Sequence, residues 1–288
     1  KNKIRQRLWK IRAKKVVIAT GAIERPLIFN NNDRPGILLS SSIKKYIDYY
    51  GVKCGNKISI FTSNDSAYET VLSLYKNGVK VNSIIDIRDK SESLIVKKVQ
   101  DIGIKIYWKH TVVNTKGYKR INSIELMKLN EKGTGVIGDK INESCDCLGI
   151  SGGWTPMVHL FTQSGGKLEF NRIDNMFIPD ENKSPSEQIS VGSCNGDLEL
   201  DDIIKKTNLK TKEFLDINTS IFDSLKIQSS KEKNKKNIWL LPSDKPLGKT
   251  KPFLDFQNDS TAKDVKLALR EGFKSIEHVK RYTTTGMG

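Results

Sequence analysis

The stretch Val16-Val17-Ile18-Ala19-Thr20-Gly21-Ala22 constrains this chain more than any other. A β-branched run ending in a Thr-Gly turn reads as a buried strand whose carboxyl end is open to close backbone approach. Such a strand usually closes a nucleotide-binding sheet, yet here it stands at the start of the chain. The sheet it belongs to is therefore expected to begin upstream. No Met precedes Lys1, and "RYTTTGMG" stops without a polar tail, so the expectation is a segment of a longer chain.

With 288 residues, 37% hydrophobic and 28% charged, the composition is that of a folded domain or two, not a disordered chain. The net charge of +16 raises the question of nucleic acid. The Lys residues are scattered, however, and the densest run, "SSKEKNKKN" at 229–237, reads as a solvated loop. No basic groove with interleaved aromatics is apparent, so no nucleic-acid partner is expected. No apolar run approaches the roughly 20 residues of a membrane span, and the N-terminus has no apolar signal core, so no membrane association is expected. Cys54 and Cys194 stand alone, and Cys145 and Cys147 form a single C-x-C. That supplies too few ligands for a tetrahedral metal and fits reduced thiols in the cytoplasm. His110, His159 and His278 have no partner spacing that supports a nucleophilic or metal site. The sequence thus offers no catalytic residue and no metal site.

Along the chain, residues 4–18 read as a hairpin strand leading into a buried one. Residues 37–50 have helical spacing, with Gly51 as C-cap. Residues 55–88 read as a βαβ unit: a strand at Ile58–Phe61, a helix at Ser66–Asn77 with Ala67, Val71, Leu74 and Tyr75 on one face, and a second strand in "VKVNSIIDI". A helix at about 92–102, strands in "IKIYWKHTVV" and "YKRINSIELMKL", and a strand leading into "SGGWTP" follow. This alternation predicts an α/β fold with a parallel sheet and helices on both faces. Beyond a weak stretch from about 217, Thr261 and Asp264 form a capping-box start, Gly272 ends that helix, and Ser275 begins another.

Three strand-to-turn junctions put small residues where open α/β sheets bind ligands: Ala19-Thr20-Gly21-Ala22, Gly152-Gly153-Trp154-Thr155-Pro156, and Gly192-Ser193-Cys194-Asn195-Gly196. Singly, each is a tight turn; three of them around an inserted βαβ unit are more specific. In that unit the first strand is followed by "TSNDSA", without the glycines of a pyrophosphate loop. The unit reads as a scaffold, with Asn64, Asp65 and Ser66 capping the helix.

"VVIATGAIERPLIFNNNDRPGILL", "IFTSNDSAY", "SGGWTPMVHLFTQSGGKLEF" and "FLDFQNDSTAKDVKLALREGFKSIEHVKRYTTTGMG" closely resemble the alpha subunits of heterotetrameric sarcosine oxidases. The resemblance covers nearly all of the chain and is weakest at about 205–245. It implies a Rossmann-like FAD/NAD(P)-binding fold of the two-dinucleotide-binding-domain type with a small C-terminal helical module. It implies an outer domain at 1–50 and 145–215, whose first half is missing, and an inserted domain at 51–144. A linker at 216–250 and the helical module at 251–288 would follow. The implied enzyme oxidises sarcosine with oxygen through FAD and FMN, giving glycine, hydrogen peroxide and a one-carbon unit for tetrahydrofolate bound in a downstream domain. Its beta, gamma and delta subunits are the implied partners, and this segment would support the subunit interface. NAD is the cofactor implied for the outer domain, with Ala19, Thr20, Gly21, Ala22, Gly152, Gly153, Trp154, Thr155, Pro156, Gly192, Asn195 and Gly196 as its contacts. The tail also resembles an iron–sulfur module, but Asp255 and Gln257 stand where two Cys would be, so the cluster is expected to be lost. Residues 281–288 would either line the FMN phosphate side or pack on their own domain. Two alternatives remain open: a subunit of a proline or opine dehydrogenase complex, and a non-catalytic assembly scaffold.

Overall fold

The computed structural model describes residues 5–216 and 236–287. Its elements run, in chain order, β1 (Val16–Ile18), β2 (Ala22–Glu24), β3 (Ile37–Leu39), α1 (Ser40–Tyr50), β4 (Ile58–Thr62), α2 (Ser66–Lys76), β5 (Val81–Asp86), α3 (Leu94–Asp101), β6 (Lys105–Trp108), β7 (His110–Lys116), β8 (Ser123–Leu129), β9 (Val136–Ser144) and β10 (Cys147–Ser151). They continue as β11 (Trp154–Pro156), α4 (His159–Gln163), β12 (Leu168–Asn171), β13 (Met176–Pro179), β14 (Gln188–Ser190), α5 (Leu200–Leu215), β15 (Phe253–Asp255), β16 (Ser260–Thr261), α6 (Ala262–Arg270) and α7 (Ile276–Thr283). The described chain divides into two compact units, 5–23 with 154–216 and 24–153 with 236–287.

The larger unit is built on a five-stranded sheet of order β3-β10-β4-β5-β6, parallel throughout. Every residue of β4 and β10 is buried, which explains their near-continuous apolar sequences. Alternate side chains serve two cores. Ile58, Ile60, Ile84 and Cys147 pack with Ile43, Ala67, Val71, Leu74, Val96 and Val99 of the three helices. Phe61, Ile85, Leu148 and Ile150 pack with Val112, Ile124, Leu126 and Leu129 of the antiparallel sheet β7-β8-β9. The expected second helical face is thus a β-meander.

Other expectations are corrected in the same unit. Residues 37–39 form a strand beside β10, and the helix begins only at Ser40. The sheet therefore takes β3 and β10 from stretches that the sequence put in the outer domain, because β10 sits between β3 and β4. Tyr75 is 58% exposed, and Tyr68 takes the buried place on α2 instead. "IKIYWKHTVV" is broken by Lys109 in the left-handed region (φ 57°), which separates β6 from β7. Part of the supposed linker packs into the core: Leu241 is buried and its N–H donates to Ile28 O at 2.9 Å. Residues 217–235 of that linker lie outside the described residues.

The tail joins this unit through a zipper. Asn32 Nδ2 donates to Phe253 O at 2.9 Å, Phe253 N to Asn32 Oδ1 at 2.7 Å, and Lys251 N to Asn30 Oδ1 at 2.8 Å. The capping box forms: Asp264 Oδ2 accepts from Thr261 N at 2.8 Å and from Thr261 Oγ1 at 2.7 Å. Gly272 (φ 95°) follows α6, and Ser275 is the N-cap of α7.

In the smaller unit, β1 pairs in parallel with β14, Val16 facing Gln188 and Ile18 facing Ser190. Residues 5–13 have no regular structure and are exposed, so the early alternation makes no hairpin strand. Only Ile18 of β1 is buried. β12 and β13 form an antiparallel hairpin, and α5 closes the unit.

Candidate functional site

In the smaller unit the parallel pairing of β1 and β14 brings two of the three turns side by side at the strands' carboxyl ends. Val191 N donates to Ile18 O at 3.0 Å, and the buried Cys194 thiol donates to the same oxygen at 3.3 Å. Thr20 Oγ1 donates to Met157 O at 2.6 Å, and Met157 N to Gly21 O at 2.9 Å. Ala19–Ala22 is thereby tied to the chain that leaves β11. Residues Gly192–Asn195 form one turn of 3₁₀ helix, ended by Gly196 at φ 91°. A Cβ at Gly196 would lie 2.7 Å from Ile178 Cγ2, so both backbone and space demand glycine there. Asn195 Nδ2 donates to Asp197 Oδ2 at 3.4 Å, and Lys206 pairs with Asp197 at 2.5 Å. This unit therefore gathers Ala19, Thr20, Gly21, Ala22, Trp154, Thr155, Pro156, Gly192, Asn195 and Gly196.

Gly152 and Gly153 belong to the larger unit, where they end β10. Gly152 N donates to Arg25 O at 2.7 Å, Arg25 N to Gly153 O at 2.8 Å, and Arg25 Nε to Gly152 O at 3.1 Å. A Cβ on Gly152 would lie 2.9 Å from Pro26 O and 3.0 Å from Arg25 O, so this glycine allows two backbones to touch. Arg25 stacks over Trp239 at 4.6 Å, and burial lowers its pKa. With Ser63 and Leu254 they line a cavity of about 190 Å³.

The crevice where a dinucleotide would enter the larger unit lies between β4 and β10, where the strand order reverses. Side chains fill it. Asn64 Nδ2 donates to Ser151 Oγ at 2.9 Å, and Asn64 Oδ1 accepts from Ser66 N at 3.1 Å and from Ser66 Oγ at 2.6 Å. Asn64 therefore holds the start of α2. Asp65, which the sequence also read as a cap, instead accepts from Arg88 Nη1 at 2.7 Å. Asp86 ends the second strand, where a dinucleotide-binding unit puts the carboxylate that takes a ribose hydroxyl. Here it is fully buried and already bound: Arg88 Nη2 donates to it at 2.7 Å, Arg88 Nε at 3.0 Å and Tyr68 Oη at 2.8 Å. Burial and the neighbouring carboxylate push the Tyr68 phenol up. Sequence reasoning missed this cluster; an acidic residue at the end of the second strand was the available signal.

No group of three His, Cys, Asp or Glu that could hold a metal occurs among the described residues. Asp255, at the expected Cys position, accepts from Gln257 N at 2.9 Å, Asn258 Nδ2 at 2.8 Å and Gly286 N at 2.7 Å. A carboxylate clip thus joins β15 to the Gly286 turn. Within the described residues no helix is long and apolar enough to cross a membrane.

The sheet order and the strand-end turns define a Rossmann-like α/β fold with a small C-terminal helical part. L-proline dehydrogenase from P. horikoshii matches 96% of this chain and 50% of its own at a TM-score of 0.57 and 18% identity. Thioredoxin reductase from T. acidophilum matches 64% of this chain and 58% of its own at 0.50 and 18%. A family model for the sarcosine oxidase A3 domain matches residues 249–288. Sarcosine oxidase subunit alpha of Corynebacterium sp. (strain U-96) is 33% identical over 97% of this chain, and that of Rhizobium meliloti (strain 1021) is 31% identical over 98%. Over nearly all of its length the chain is similar to sarcosine oxidase alpha subunits. It spans 29% and 27% of those two relatives' lengths.

Proposed function

We propose that this chain is the central part of an alpha subunit that works in a flavin-dependent oxidation of sarcosine. The whole enzyme would convert sarcosine and oxygen to glycine and hydrogen peroxide, with FAD and FMN carrying electrons and tetrahydrofolate taking the one-carbon unit. Beta, gamma and delta subunits would complete it, in the cytoplasm. Within this segment, the outer nucleotide-binding domain would be completed by further chain and would hold NAD. The inserted unit would serve as scaffold, and the whole segment would support the subunit interface.

The contrast between the two strand-end crevices carries this reading. In the larger unit, Asn64, Tyr68 and Arg88 occupy the crevice and leave a dinucleotide no carboxylate to bind. In the smaller unit the backbone at Gly21 has φ 74°, and a Cβ there would meet nothing within 4 Å. That open backbone, with Thr20, Gly192 and Asn195 nearby along β1 and β14, suits the close approach of a nucleotide's phosphates and sugars. These residues would bind and orient NAD. No bond-making role falls to them, and no catalytic residue is assigned in this segment.

The test is hydrogen peroxide release by the full natural protein, co-expressed with its natural partners, on sarcosine, proline and an opine in parallel. Peroxide with sarcosine alone is the expected result. Silence with sarcosine beside dye reduction with proline or an opine would overturn the reading in favour of a dehydrogenase subunit.

A further inference from the structure

Side chains fill the dinucleotide crevice of the larger unit, but a smaller space remains at the same strand ends. Ser63 and Gly152, which directly follow β4 and β10, line the cavity of about 190 Å³. It therefore sits at the carboxyl ends of two neighbouring parallel strands, where open α/β sheets hold ligands. Its volume lies below the roughly 300–1,000 Å³ of pockets for drug-sized molecules, so it suits a ligand much smaller than a dinucleotide. Pro26, Leu27, Ile28, Ile238 and Leu254 give it an aliphatic wall. Arg25 is the one charged side chain among the described residues that line it. The guanidinium itself, and not only its stem, stands at that wall. Its Nε donates to Gly152 O at 3.1 Å and its Cζ lies 4.6 Å from the centre of the Trp239 ring, and Gly152 and Trp239 both line the cavity.

The chemistry of the ligand follows from this wall. A guanidinium offers paired N–H donors that match a carboxylate. These contacts to Gly152 and Trp239 hold its orientation, so little is lost in ordering it around a ligand. One cation balances one negative charge, whereas a phosphate dianion would bring a second into aliphatic surroundings. Among the described lining residues no acidic side chain is present to take an ammonium, so a zwitterionic amino acid is disfavoured. Burial lowers the Arg25 pKa, and a bound anion offsets that penalty on its charge. We propose that this cavity binds a small monocarboxylate with an apolar body, its carboxylate on Arg25 and its body against Pro26, Leu27 and Leu254. The proposal does not rest on the NAD reading, whose Thr20, Gly21, Gly192 and Asn195 belong to the smaller unit.

The experiment is saturation-transfer NMR on the full natural protein. The probe is isovalerate; isovaleramide, of the same shape without the charge, and leucine, with an added ammonium, are the controls. Transfer to isovalerate is expected at millimolar concentration, with affinity at least tenfold above either control. It should persist with saturating NAD, although Gly152 lies on the wall. In Arg25→Met the affinity for isovalerate falls about tenfold or more, as expected for lost charge-assisted hydrogen bonds. Leu254→Glu puts a carboxylate on the wall at a side chain 41% exposed, and should lower affinity similarly while melting like wild type. That second variant decides the matter if Arg25→Met does not fold. No transfer to isovalerate, equal affinity for isovaleramide or leucine, wild-type affinity in Leu254→Glu, or displacement by NAD would each overturn the proposal. Calorimetry of NAD with the same wild-type sample tests the dinucleotide reading separately, since failure there leaves the isovalerate result standing.

Discussion

Replacing Arg88 with Met tests the buried cluster most directly. Arg88 is 0% exposed, and its guanidinium bridges Asp86 and Asp65 at 2.7 Å each. Met keeps much of the volume and removes the charge. Asp86 would keep the Arg88-position backbone N–H and the Tyr68 hydroxyl, at 2.9 and 2.8 Å, but lose both guanidinium donors. With a side chain 0% exposed, it has no water to replace them. Stranding one buried charge typically costs about 3–5 kcal/mol. At roughly 2–4 °C per kcal/mol, the melting midpoint should fall by about 6–20 °C. The effect has a sign in pH. Burial pushes the Asp86 carboxyl up, and Arg88 opposes that push. Without Arg88 the folded carboxyl titrates above its unfolded value, so the variant gains stability as it protonates and loses it as pH rises through that folded value. The deficit should therefore be smaller at a lower pH than at neutral pH, and Asp86→Asn in the same background should recover most of it. Urea unfolding of the full natural protein at the two pH values, followed by tryptophan fluorescence, measures this. A loss under about 1 kcal/mol, or one that is equal at both pH values, would refute the reasoning.

Further outcomes follow from the same geometry. Gly152→Ala should destabilise by about 1–3 kcal/mol, because its Cβ meets two backbone oxygens that cannot yield; thermal melting reads it. Burial pushes the Cys145 thiol up to about 11 and the Cys147 thiol up to about 12. At neutral pH both should resist a thiol reagent until denaturant is added, and fast labelling of either by peptide mass spectrometry would contradict that. Hydrogen bonds from Asn258 and Gly286 hold the Asp255 carboxyl below its ordinary range. A depressed folded pKa gives stability that is lost as pH falls through it, so the protection of the Gly286 amide relative to its intrinsic exchange rate should fall in acid, and fall at neutral pH in Asp255→Ala. Thr261→Ala should cost the start of α6 about 0.5–2 kcal/mol, seen as faster amide exchange in its first turn.

Much of this fold was legible because its signals are local. The span of α2, the Gly51 turn and the Thr261–Asp264 box each depend on residues within a turn or two, and all formed where the sequence put them. The same holds for the Thr-Gly and Gly-x-x-x-Gly turns of the candidate site, whose small residues report backbone conformations that only a few residue types tolerate.

What the sequence could not supply depended on distant partners. Nothing in "CDCLGIS" says that it threads between β3 and β4, and that insertion alone moves residues 37–50 into the inserted unit. Nothing in "DIRD" marks Arg88 as a fully buried cation, since a charge is read as exposed until two carboxylates and a tyrosine converge on it from three elements. Nor does the alternation in β4 and β5 reveal whether helices or a meander cover the second face. Local sequence determined which backbone each segment prefers. Which surfaces those segments bury, and therefore that side chains fill the crevice between β4 and β10, was decided by long-range packing, where the free energy depends on pairs of residues that one-dimensional spacing does not relate.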